Sequence, residues 1–534
     1  MTSTWGAMMH KTVLIGLDGA TFAILDPLMA EGHMPFLQSF LTRAFRANLL
    51  STPNPLTPPA WVSMVTGRSP GNHGIYDFIR AENRDETIYF TLYNFSDIQC
   101  ETIWSMASRQ GRKVVHLNFP MMAPPQPLNG YVIPSMVQWR HLRKNIYPKI
   151  LYDTIATIPG FQSDHWALTY WEANEAMRHR ALFPDENEGK DWVTKNLHRD
   201  EQWFIILEYL MEKDPADLTA IVFDGVDKLL HPYWRLLDPD TSGDLSDGEK
   251  RVRDLVLGYF HKLDSYISDI VKLAGEDAHI IMASDHGFGP ARYVFHINVL
   301  LERLGYLRWR EVDHARVKKH NHEWSFASLD WSKTTAYVGT PSSNGIRIRM
   351  PGQGANSKDY EAFRARLMEQ LLDYRDPVSG EQIVSRVMPR EEAFPGRAML
   401  QAPDLTLTLS DHSFVSVINE EPIVLHRPEI NGTHRPEGIF ILGGPGVRSR
   451  ENREPYSIMD VAPTLLYCLG LPIPQEFEGR LALEAWEEGH LQANGIRTGK
   501  ESDTFFTPER VDSPFSEEEE KAIWAHLQAL GYVE

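Results

Sequence analysis

The chain contains several short runs of apolar and β-branched residues, and each run ends abruptly at a polar residue or a glycine. Continuous apolar runs of this length are typical of strands that are buried on both faces, as in a parallel sheet. We therefore predict that these segments are strands of one buried sheet. They lie at residues 12–17, 113–117, 218–223, 279–283 and 438–442.

Helical patterns lie between the predicted strands. In residues 251–274, leucines and isoleucines are interleaved with charged positions, and residues 460–469 read as a helix that ends at Gly470, with Pro472 just beyond. Strands that alternate with helices predict an open, doubly wound α/β sheet. In such a sheet ligands bind at the carboxyl ends of the strands.

Two segments interrupt the alternation of strands and helices. Residues 126–214 are rich in Trp, Tyr, Arg and His, and residues 308–396 contain turns marked by Gly and Pro. We interpret both as insertions that cover the active face of a single catalytic domain, which spans residues 1–480. The remainder, residues 481–534, is predicted to be an acidic tail with a final helix, which a capping box beginning at Ser516 would start.

The net charge and the composition exclude several classes of binding partner and site. The formal net charge of −19 argues against a general nucleic-acid or anionic-membrane binder, because such proteins cluster Lys and Arg. There are two cysteines, Cys100 and Cys468, so neither a disulfide framework nor a cysteine metal site is expected. No apolar stretch approaches the ~18 residues that cross a bilayer, and residues 12–17 are too short for a signal peptide core. We therefore expect a cytoplasmic protein.

Thr57 precedes two prolines at the predicted start of a helix, in Leu-Thr-Pro-Pro-Ala-Trp. Proline favours the first turn of a helix, which places Thr57 at the N-cap. An N-cap threonine usually does no more than cap the helix with its hydroxyl. The alternative is that the amides and the positive dipole end of this helix bind a phosphate and favour an alkoxide on Thr57.

Acidic side chains follow three of the predicted strands. Asp18 comes directly after the first strand and is followed by a glycine, so it is either a metal ligand or part of a simple turn. Asp227 and His231 are four residues apart, and on a helix this spacing places both side chains on one face, as a metal pair requires. Asp224 is a competing ligand in the same segment.

An adjacent acidic and imidazole pair, Asp285 and His286, lies at the mouth of a very apolar strand and precedes two nearby glycines. His434 lies in a loop before the last predicted strand. Together these segments supply three Asp, three His and one Thr. Oxygen and nitrogen ligands of this kind suit Zn²⁺, with Mn²⁺ as second choice. Two such ions ~4 Å apart could activate a hydroxyl and stabilise a leaving oxygen.

The order of these segments resembles the type I phosphodiesterase/nucleotide pyrophosphatase group of the alkaline phosphatase superfamily, over about residues 10–480. The matching segments are Asp18-Gly, Leu56-Thr57-Pro-Pro, residues 65–74, Asp227-x-x-x-His231, Asp285-His286-Gly, Gly432-Thr-His434, and residues 458–470 with 478–480. Residues 118–125 and 285–290 resemble a prokaryotic branch of predicted phosphohydrolases or phosphomutases. The resemblance implies an alkaline-phosphatase-like three-layer α/β/α core with a mixed, mostly parallel sheet and inserted lid segments.

The resemblance also implies a role for each matching residue. Asp227, His231 and His434 would hold one zinc ion, and Asp18, Asp285, His286 and the Thr57 oxygen would hold the other. Thr57 would attack the phosphorus in line and give a phosphothreonine intermediate. The expected partner is a small phosphate ester.

One position departs from the resemblance. Many nucleotide pyrophosphatases carry an Asn three residues after the nucleophile, where it binds a phosphate oxygen, but this chain has Ala60. Losing such a donor typically costs about 2.7–4 kcal/mol in the transition state. Asn118, Arg292 and Arg435 are the candidates to replace it.

Four functions are therefore compared. The leading one is a two-metal phosphodiesterase or nucleotide-pyrophosphatase-type phosphohydrolase. A phosphomutase or phosphomonoesterase would use the same metals but needs several cations at the site, such as Arg292, Arg347 and Arg349. A sulfatase is disfavoured because Thr57-Pro-Pro-Ala lacks the Cys or Ser that is converted to formylglycine. A catalytically inactive binding protein is the fourth, although no ligand position is missing.

Overall fold

The computed structural model describes residues 11–84, 87–166, 186–310, 329–349, 358–499, 515 and 517–530. Its strands within these ranges are β1 (Thr12–Leu17), β2 (Phe45–Leu50), β3 (Ile79–Arg84), β4 (Thr87–Leu92), β5 (Val114–Leu117), β6 (Gly130–Ile133), β7 (Leu218–Phe223), β8 (His279–Ala283), β9 (Gly287–His296), β10 (Ala336–Val338), β11 (Gly345–Ile348), β12 (Val384–Pro389), β13 (Leu405–Leu409), β14 (Val415–Ser416), β15 (Val424–Arg435), β16 (Glu437–Gly443), β17 (Arg450–Glu451), β18 (Tyr456–Ser457), β19 (Ile473–Pro474) and β20 (Thr498–Gly499).

The α-helices of the same ranges connect these strands. They are α1 (Phe22–Ala30), α2 (Pro35–Leu41), α3 (Thr57–Thr66), α4 (Pro70–His73), α5 (Ile103–Arg109), α6 (Trp139–Leu142), α7 (Leu151–Ile155), α8 (Glu186–Lys213), α9 (Gly225–Leu237), α10 (Asp247–Ala274), α11 (Ile297–Arg303), α12 (Lys358–Asp373), α13 (Arg390–Ala393), α14 (Val461–Cys468), α15 (Glu488–Ala493) and α16 (Glu517–Leu530).

A central sheet organises the described chain, with the strand order β17-β2-β16-β8-β1-β7-β5-β6 and β18 paired to β2. The β8-β1-β7-β5-β6 portion is parallel throughout, and β16 is antiparallel to both β8 and β2. Each of the five predicted strands lies in this sheet. The predicted α/β fold with a mixed, mostly parallel sheet is confirmed.

Alternation along the strands explains why the sheet has a layer of helices on each face. In β1, Val13 and Ile15 join one apolar cluster, and Leu14 between them joins the other. The first cluster includes residues of α1, α2, α8, α9 and α10, and the second includes residues of α3, α5 and α14. Because side chains alternate in direction along a strand, both faces are covered, as in the predicted three-layer core.

The predicted insertions differ from the structure in their limits. β6 falls inside the segment 126–214, yet it pairs in parallel with β5 as the outer strand of the central sheet. Its short length and half-exposed start hide it from a search for long apolar runs. The segment 308–396 contributes to a four-stranded sheet, β10-β11-β13-β12, which extends to Leu409 and has its own apolar core. The domain limits themselves remain a prediction.

Helix ends also differ in detail from the sequence prediction. Thr57 is the first residue of α3, and Leu56 is the N-cap, so the predicted N-cap position of Thr57 is shifted by one residue. The helix α14 ends as predicted, since Gly470 just beyond it has a φ of +64°.

The predicted final helix exists as α16, although its proposed cap, Ser516, lies outside the described residues. No helix within the described ranges is both long and apolar enough to cross a membrane.

Candidate active site

The candidate site lies at the carboxyl ends of β1, β7 and β8, which are neighbours in the central sheet. Asp18 directly follows β1, and Asp285 follows β8. The two loops are joined because the Gly19 amide donates a hydrogen bond to Asp285 Oδ1 at 3.1 Å. Gly19 has a φ of +70°, and a Cβ there would lie 2.7 Å from the Phe288 ring, so this turn requires glycine.

One group of side chains surrounds the Nε2 atom of His286. This atom lies 3.2 Å from Asp285 Oδ2, 3.6 Å from Asp18 Oδ1 and 3.4 Å from Thr57 Oγ1. All four residues are buried, with exposed fractions between 0% and 7%. Three of the residues predicted to share one metal ion therefore surround the fourth, His286.

A second group surrounds Asp227 at the start of α9. Asp227 Oδ1 lies 3.4 Å from His231 Nε2 and 3.2 Å from His434 Nε2. The two histidines are themselves 3.2 Å apart at their Nε2 atoms. Asp227 and His231 lie one turn apart on the same face of α9, as their spacing predicts, and β15 carries His434 to them.

The two groups adjoin each other. The ligand atoms of Asp227, His231 and His434 lie within 4.8 Å of one another, and so do those of Asp18, Asp227 and His286. The imidazole rings of His286 and His434 stack with centroids 3.5 Å apart. The register of β9 and β15, which places His434 opposite Phe288, accounts for this contact. The geometry therefore provides two candidate metal-binding groups, consistent with a binuclear site.

Hydrogen bonds fix the tautomers of two of these histidines. His434 Nδ1 lies 2.8 Å from the carbonyl oxygen of Pro55, and His286 Nδ1 lies 3.1 Å from that of Gly287. A carbonyl oxygen only accepts, so each Nδ1 carries a proton and donates. The lone pair on each Nε2 then points into the site, which is the form in which histidine binds a metal ion.

Two carboxylate oxygens in the site have no hydrogen-bond donor among the described residues, namely Asp18 Oδ1 and Asp285 Oδ2. Burial, together with the charges of neighbouring carboxylates, raises the pKa of both groups well above their ordinary value. Unpaired buried carboxylate oxygens are unfavourable unless a proton or a cation neutralises them. This set of donors therefore fits a divalent cation.

Opposing effects act on the other members of the site. Burial raises the pKa of Asp227, but His231 and His434 outweigh it and hold that pKa well below its ordinary value. Burial lowers the pKa of both His286 and His434, so these rings are neutral near pH 7. Neutral imidazoles and an ionised carboxylate are the forms that bind metal ions.

The start of α3 offers fewer phosphate-binding amides than the sequence prediction assumed. Pro58 and Pro59 have no N–H group, and the amide of Ala60 donates to the Leu56 carbonyl at 3.1 Å. Of the first-turn amides that remain, only that of Thr57 can face a ligand. A phosphate at this site would depend on cations rather than on the helix amides.

Asp224, the competing ligand, is committed elsewhere. It binds both terminal nitrogens of Arg199, at 2.6 and 2.8 Å, and the Lys228 ammonium at 2.7 Å. Asp224 is the N-cap of α9, Lys228 lies in the first turn of α9, and Arg199 comes from α8. Asp227, not Asp224, faces the histidines.

Residues 12–437 match the family described as Type I phosphodiesterase / nucleotide pyrophosphatase. The chain belongs to this family. It is an enzyme family of the alkaline phosphatase superfamily, so the resemblance inferred from the sequence is confirmed.

Individual relatives are more distant. A 2,3-bisphosphoglycerate-independent phosphoglycerate mutase from Cereibacter sphaeroides (strain ATCC 17025 / ATH 2.4.3) is 36% identical over 94 residues, which is 16% of this chain and 16% of that protein. The match therefore spans about one sixth of that relative's length.

Among solved structures, phosphonoacetate hydrolase from Sinorhizobium meliloti 1021, in complex with phosphonoformate, is 16% identical. It aligns over 86% of this chain and 95% of its own, with a TM-score of 0.53, and it shares the fold. Murine ectonucleotide pyrophosphatase/phosphodiesterase 5, an inactive variant in complex with AMP, is 13% identical. It aligns over 89% of this chain and 98% of its own, with a TM-score of 0.49.

The residues predicted to bind substrate in this family member have varied surroundings. Asn118, at the end of β5, donates its side-chain amide to the Val222 carbonyl at 2.9 Å. Arg435 adjoins His434, but its guanidinium donates to the main-chain carbonyls of Pro290, at 2.6 Å, and of His434, at 3.2 Å. Arg292 is exposed on β9. Their roles as phosphate ligands remain predictions.

Two site residues were missed by the sequence reasoning. Trp61, one turn after Thr57 on α3, places its indole nitrogen 3.4 Å from Asp18 Oδ2. Phe288 lies against three imidazoles, with centroid distances of 4.9 Å to His231, 5.8 Å to His286 and 5.2 Å to His434. Both lie within the quoted motifs, but their aromatic character alone predicts only core packing.

Proposed function

We propose that this family member is a two-metal-dependent hydrolase that cleaves a phosphate ester of the phosphodiesterase or nucleotide pyrophosphatase type through a phosphothreonine at Thr57. The observation that carries this proposal is the convergence of three carboxylates and three imidazoles beside the Thr57 hydroxyl. Surface turns, or histidines that only pack in a core, would not place two adjoining sets of metal ligands beside a hydroxyl nucleophile at the start of a helix.

In the proposed arrangement each group holds one ion, Zn²⁺ by preference and Mn²⁺ as second choice. The first ion would be held by Asp227, His231 and His434, and the second by Asp18, Asp285, His286 and the Thr57 oxygen. When bound, such ions supply charge stabilisation for the phosphoryl oxygens and activate the attacking and leaving oxygens. Three carboxylates (−3) and two divalent ions (+4) leave a net charge of +1, which attracts a phosphate ester.

The chain's own residues would carry the covalent steps. Thr57 Oγ forms a bond to phosphorus while the bond from phosphorus to the leaving ester oxygen breaks. The hydroxyl proton is lost to solvent, and the leaving alkoxide takes up a proton to become an alcohol. Water then attacks the phosphothreonine, the bond between phosphorus and Thr57 Oγ breaks, and the hydroxyl is restored.

A panel of chromogenic esters tests the reaction class. The protein is stripped of metal, reloaded with Zn²⁺ or Mn²⁺, and assayed with a phosphate diester, a phosphate monoester and a sulfate ester. Turnover dominated by the diester is the expected result, with close to two ions bound per chain by elemental analysis. Metal binding without any turnover would instead indicate a binding protein, and turnover of the sulfate ester alone would indicate a sulfatase.

Substitution of the nucleophile tests the covalent step. Thr57→Ala is expected to keep both ions and lose turnover, and Thr57→Ser is expected to retain part of it. Thr66→Ala is the matched control, because Thr66 lies on the same helix and, among the described residues, its hydroxyl donates to the Val62 carbonyl alone, at 2.6 Å. Acid quenching during turnover should trap a phosphate on Thr57, detectable by mass spectrometry. Retention of most activity in Thr57→Ala would refute the assignment.

One observation favours a second candidate, a phosphomutase or phosphomonoesterase. It is the short match to a phosphoglycerate mutase. A doubly charged phosphate needs converging cations, however, and the predicted ones do not converge here. Arg347 donates to the main-chain carbonyls of Ala402 and Gln401, and Arg349 to that of Trp331. These contacts support the diester, and dominant monoester turnover would reverse the choice.

A further inference from the structure

The loop between β10 and β11, residues 339–344, connects the four-stranded sheet β10-β11-β13-β12 to the segment that precedes the nucleophile. The side-chain amide of Asn54, three residues before Thr57, donates to the main-chain carbonyl of Ser342 in this loop at 2.8 Å. Asn54 is 4% exposed, and its side-chain oxygen has no hydrogen-bond donor among the described residues. Within the described chain, the contact with Ser342 is therefore the hydrogen bond that fixes the Asn54 side chain.

A buried carboxylate holds the same loop. Asp77, two residues before β3, accepts the hydroxyl of Ser342 at 2.7 Å and that of Thr340 at 2.8 Å. All three residues are buried. Burial raises the pKa of Asp77 to about 6, so this group is ionised near pH 7 and both hydroxyls donate to it. Hydrogen bonds to an ionised acceptor are stronger than those between neutral groups, so Asp77 fixes the loop on the side of the nucleophile.

The other end of the loop is joined to the four-stranded sheet. The side-chain oxygen of Asn344 accepts the amide of Val415 at 2.8 Å, and its main-chain carbonyl accepts the amide of Leu407 on β13 at 2.9 Å. Asn344 has a φ of +45°, which is uncommon for a residue other than glycine and persists only where the surroundings fix it. The loop is therefore held both at Asp77 and at its own sheet.

Two contacts from outside α3 hold the segment that leads to Thr57. The Pro55 carbonyl accepts from His434 Nδ1 at 2.8 Å, and Asn54 donates to Ser342. The two prolines that follow Thr57 have no N–H group, so the first turn of α3 has few groups of its own through which it can be fixed. The position of Thr57 therefore depends on these external contacts.

We propose that Asn54 and Asp77 are positioning residues for the nucleophile, joined through Ser342 into one chain of contacts that orients Thr57 for its attack on phosphorus. This inference rests on the proposed function and deepens it. The four-stranded sheet then supports the nucleophile segment, which is a role beyond the covering of the active face that the sequence predicts. Both residues act through Thr57 and take no part in the bond-breaking steps.

Steady-state kinetics with saturating metal test the positioning role. Asn54→Ala removes the donor to Ser342, and Asp77→Ala removes the acceptor of two hydroxyls. Each should lower kcat for the chromogenic diester by about 10–100-fold and leave KM within about twofold, because a displacement of about 1 Å at the reacting group can cost a factor of this size. A change in KM without a change in kcat would overturn the inference.

A conservative variant and a matched control separate positioning from a loss of stability. Asp77→Asn should restore kcat to within about threefold of the wild type, because its oxygen still accepts one hydroxyl and its amide can donate to the other. Asp376→Ala is the control, since Asp376 is 1% exposed, lies between α12 and β12 and accepts the Ser379 hydroxyl at 2.7 Å. It should lower the unfolding midpoint and leave kcat unchanged. An equal loss of kcat in Asp376→Ala would overturn the assignment.

The double variant Asn54→Ala/Asp77→Ala tests whether the two residues act along one path. If both act through Ser342, the double variant should have a kcat close to that of the more impaired single variant, because residues of one network are not additive. Losses that multiply would show two independent effects and would overturn the shared chain of contacts.

Hydrogen exchange separates this inference from the proposed function, because it requires no turnover. Amide exchange is followed by mass spectrometry on peptides that span residues 52–60 and on peptides that span β7. In Asn54→Ala and in Asp77→Ala, peptides of the first kind should exchange faster than in the wild type, whereas β7 should not change.

Faster exchange confined to residues 52–60 would support the chain of contacts even if every ester in the panel were stable. Unchanged exchange there in Asn54→Ala would overturn it, even if the protein proved to be an active phosphodiesterase. This variant decides the question also if Asp77→Ala does not fold, because it removes the contact on the nucleophile segment itself.

Discussion

Replacing Asp285 by Asn is expected to raise the stability of the metal-free protein and to lower that of the metal-loaded protein. Asp285 Oδ1 accepts the Gly19 amide at 3.1 Å, and the asparagine oxygen can keep this bond. Asp285 Oδ2 has no donor among the described side chains and main-chain groups. The amide nitrogen of the asparagine would take its place and could donate to Asp18 Oδ1, which likewise has no donor there.

The size of the stability change in the metal-free protein follows from these two buried oxygens. An unsatisfied buried polar group costs about 1–3 kcal/mol, so satisfying the pair should stabilise the metal-free variant by an amount of that order. In the loaded protein the same change removes a charged ligand from one of the proposed ions. If the affinity for that ion falls a hundredfold, the stabilisation that the ion supplies decreases by about 2.7 kcal/mol.

Thermal unfolding followed by calorimetry, once with chelator and once with excess Zn²⁺ or Mn²⁺, measures both effects. Asp264→Asn is the control, because Asp264 lies away from the site and accepts the amides of Phe36 and Leu37, each at 2.8 Å. That variant should lose stability equally under both conditions. If Asp285→Asn also loses stability equally with and without metal, the carboxylates are not held in place for a cation.

The same pair of carboxylates sets a pH dependence for the metal-free protein. Burial raises the folded-state pKa of Asp18 and Asp285 above the ordinary value of 3.8. A raised pKa gives stability that is complete below pH 3.8 and is lost as the pH rises through the folded values. The Asp285→Asn variant should therefore lose less stability than the wild type between pH 3.8 and neutrality. Identical pH profiles would contradict this reasoning.

Two further substitutions test residues that hold the metal ligands in position. Asp224→Ala leaves the buried cations of Arg199 and Lys228 without their common partner, so it should lower the free energy of unfolding by about 3–5 kcal/mol. The expected readout is a lower unfolding midpoint, and an unchanged midpoint would refute the pairing. Trp61→Phe removes the donor to Asp18 and should weaken metal binding about 10–100-fold in competition with a chelating dye. Trp104→Phe is the control for Trp61→Phe, because the Trp104 indole nitrogen has no hydrogen-bond partner within the described chain. Equal metal affinities in the two variants would contradict the role of Trp61.

The central sheet and the ligand cluster could be predicted because their signals are local. A strand such as β7 is fully buried, so its apolar run and its end are visible in the sequence, and Asp227 must then lie near that end. Parallel strands bring their carboxyl ends to one edge of the sheet, which explains why Asp18 and Asp285 meet although they are far apart in the chain. The position of His434 does not follow from the end of a parallel strand, because β15 carries this residue to the site through a long antiparallel pairing with β9.

Features that depend on distant partners could not be predicted from local pattern. β6 is a four-residue outer strand with two half-exposed positions, so it gives no apolar run. The guanidinium of Arg435 donates to the carbonyl of Pro290 on β9, and this contact with a distant residue is not visible in the local sequence. The contact of α16 with the cluster around Leu56 joins residues far apart in the chain, so the local sequence does not predict it.

The choice between Asp224 and Asp227 shows how a distant contact determines the chemistry of the site. Both carboxylates follow β7. If both were buried beside Asp18 without a cation, the negative charge of each would repel that of Asp18. Arg199 from α8 pairs with Asp224, and so does Lys228, with side-chain exposures of 7% and 2% for the two cations. Neutralised in this way, Asp224 is the N-cap of α9 and is joined to Lys228 in the first turn of that helix, while Asp227 and His231 of the same helix contact His434. Of the acidic residues that follow β1, β7 and β8 in the described chain, Asp224 is thus neutralised by cations, whereas Asp18 and Asp285 each keep a buried oxygen without a donor beside Thr57.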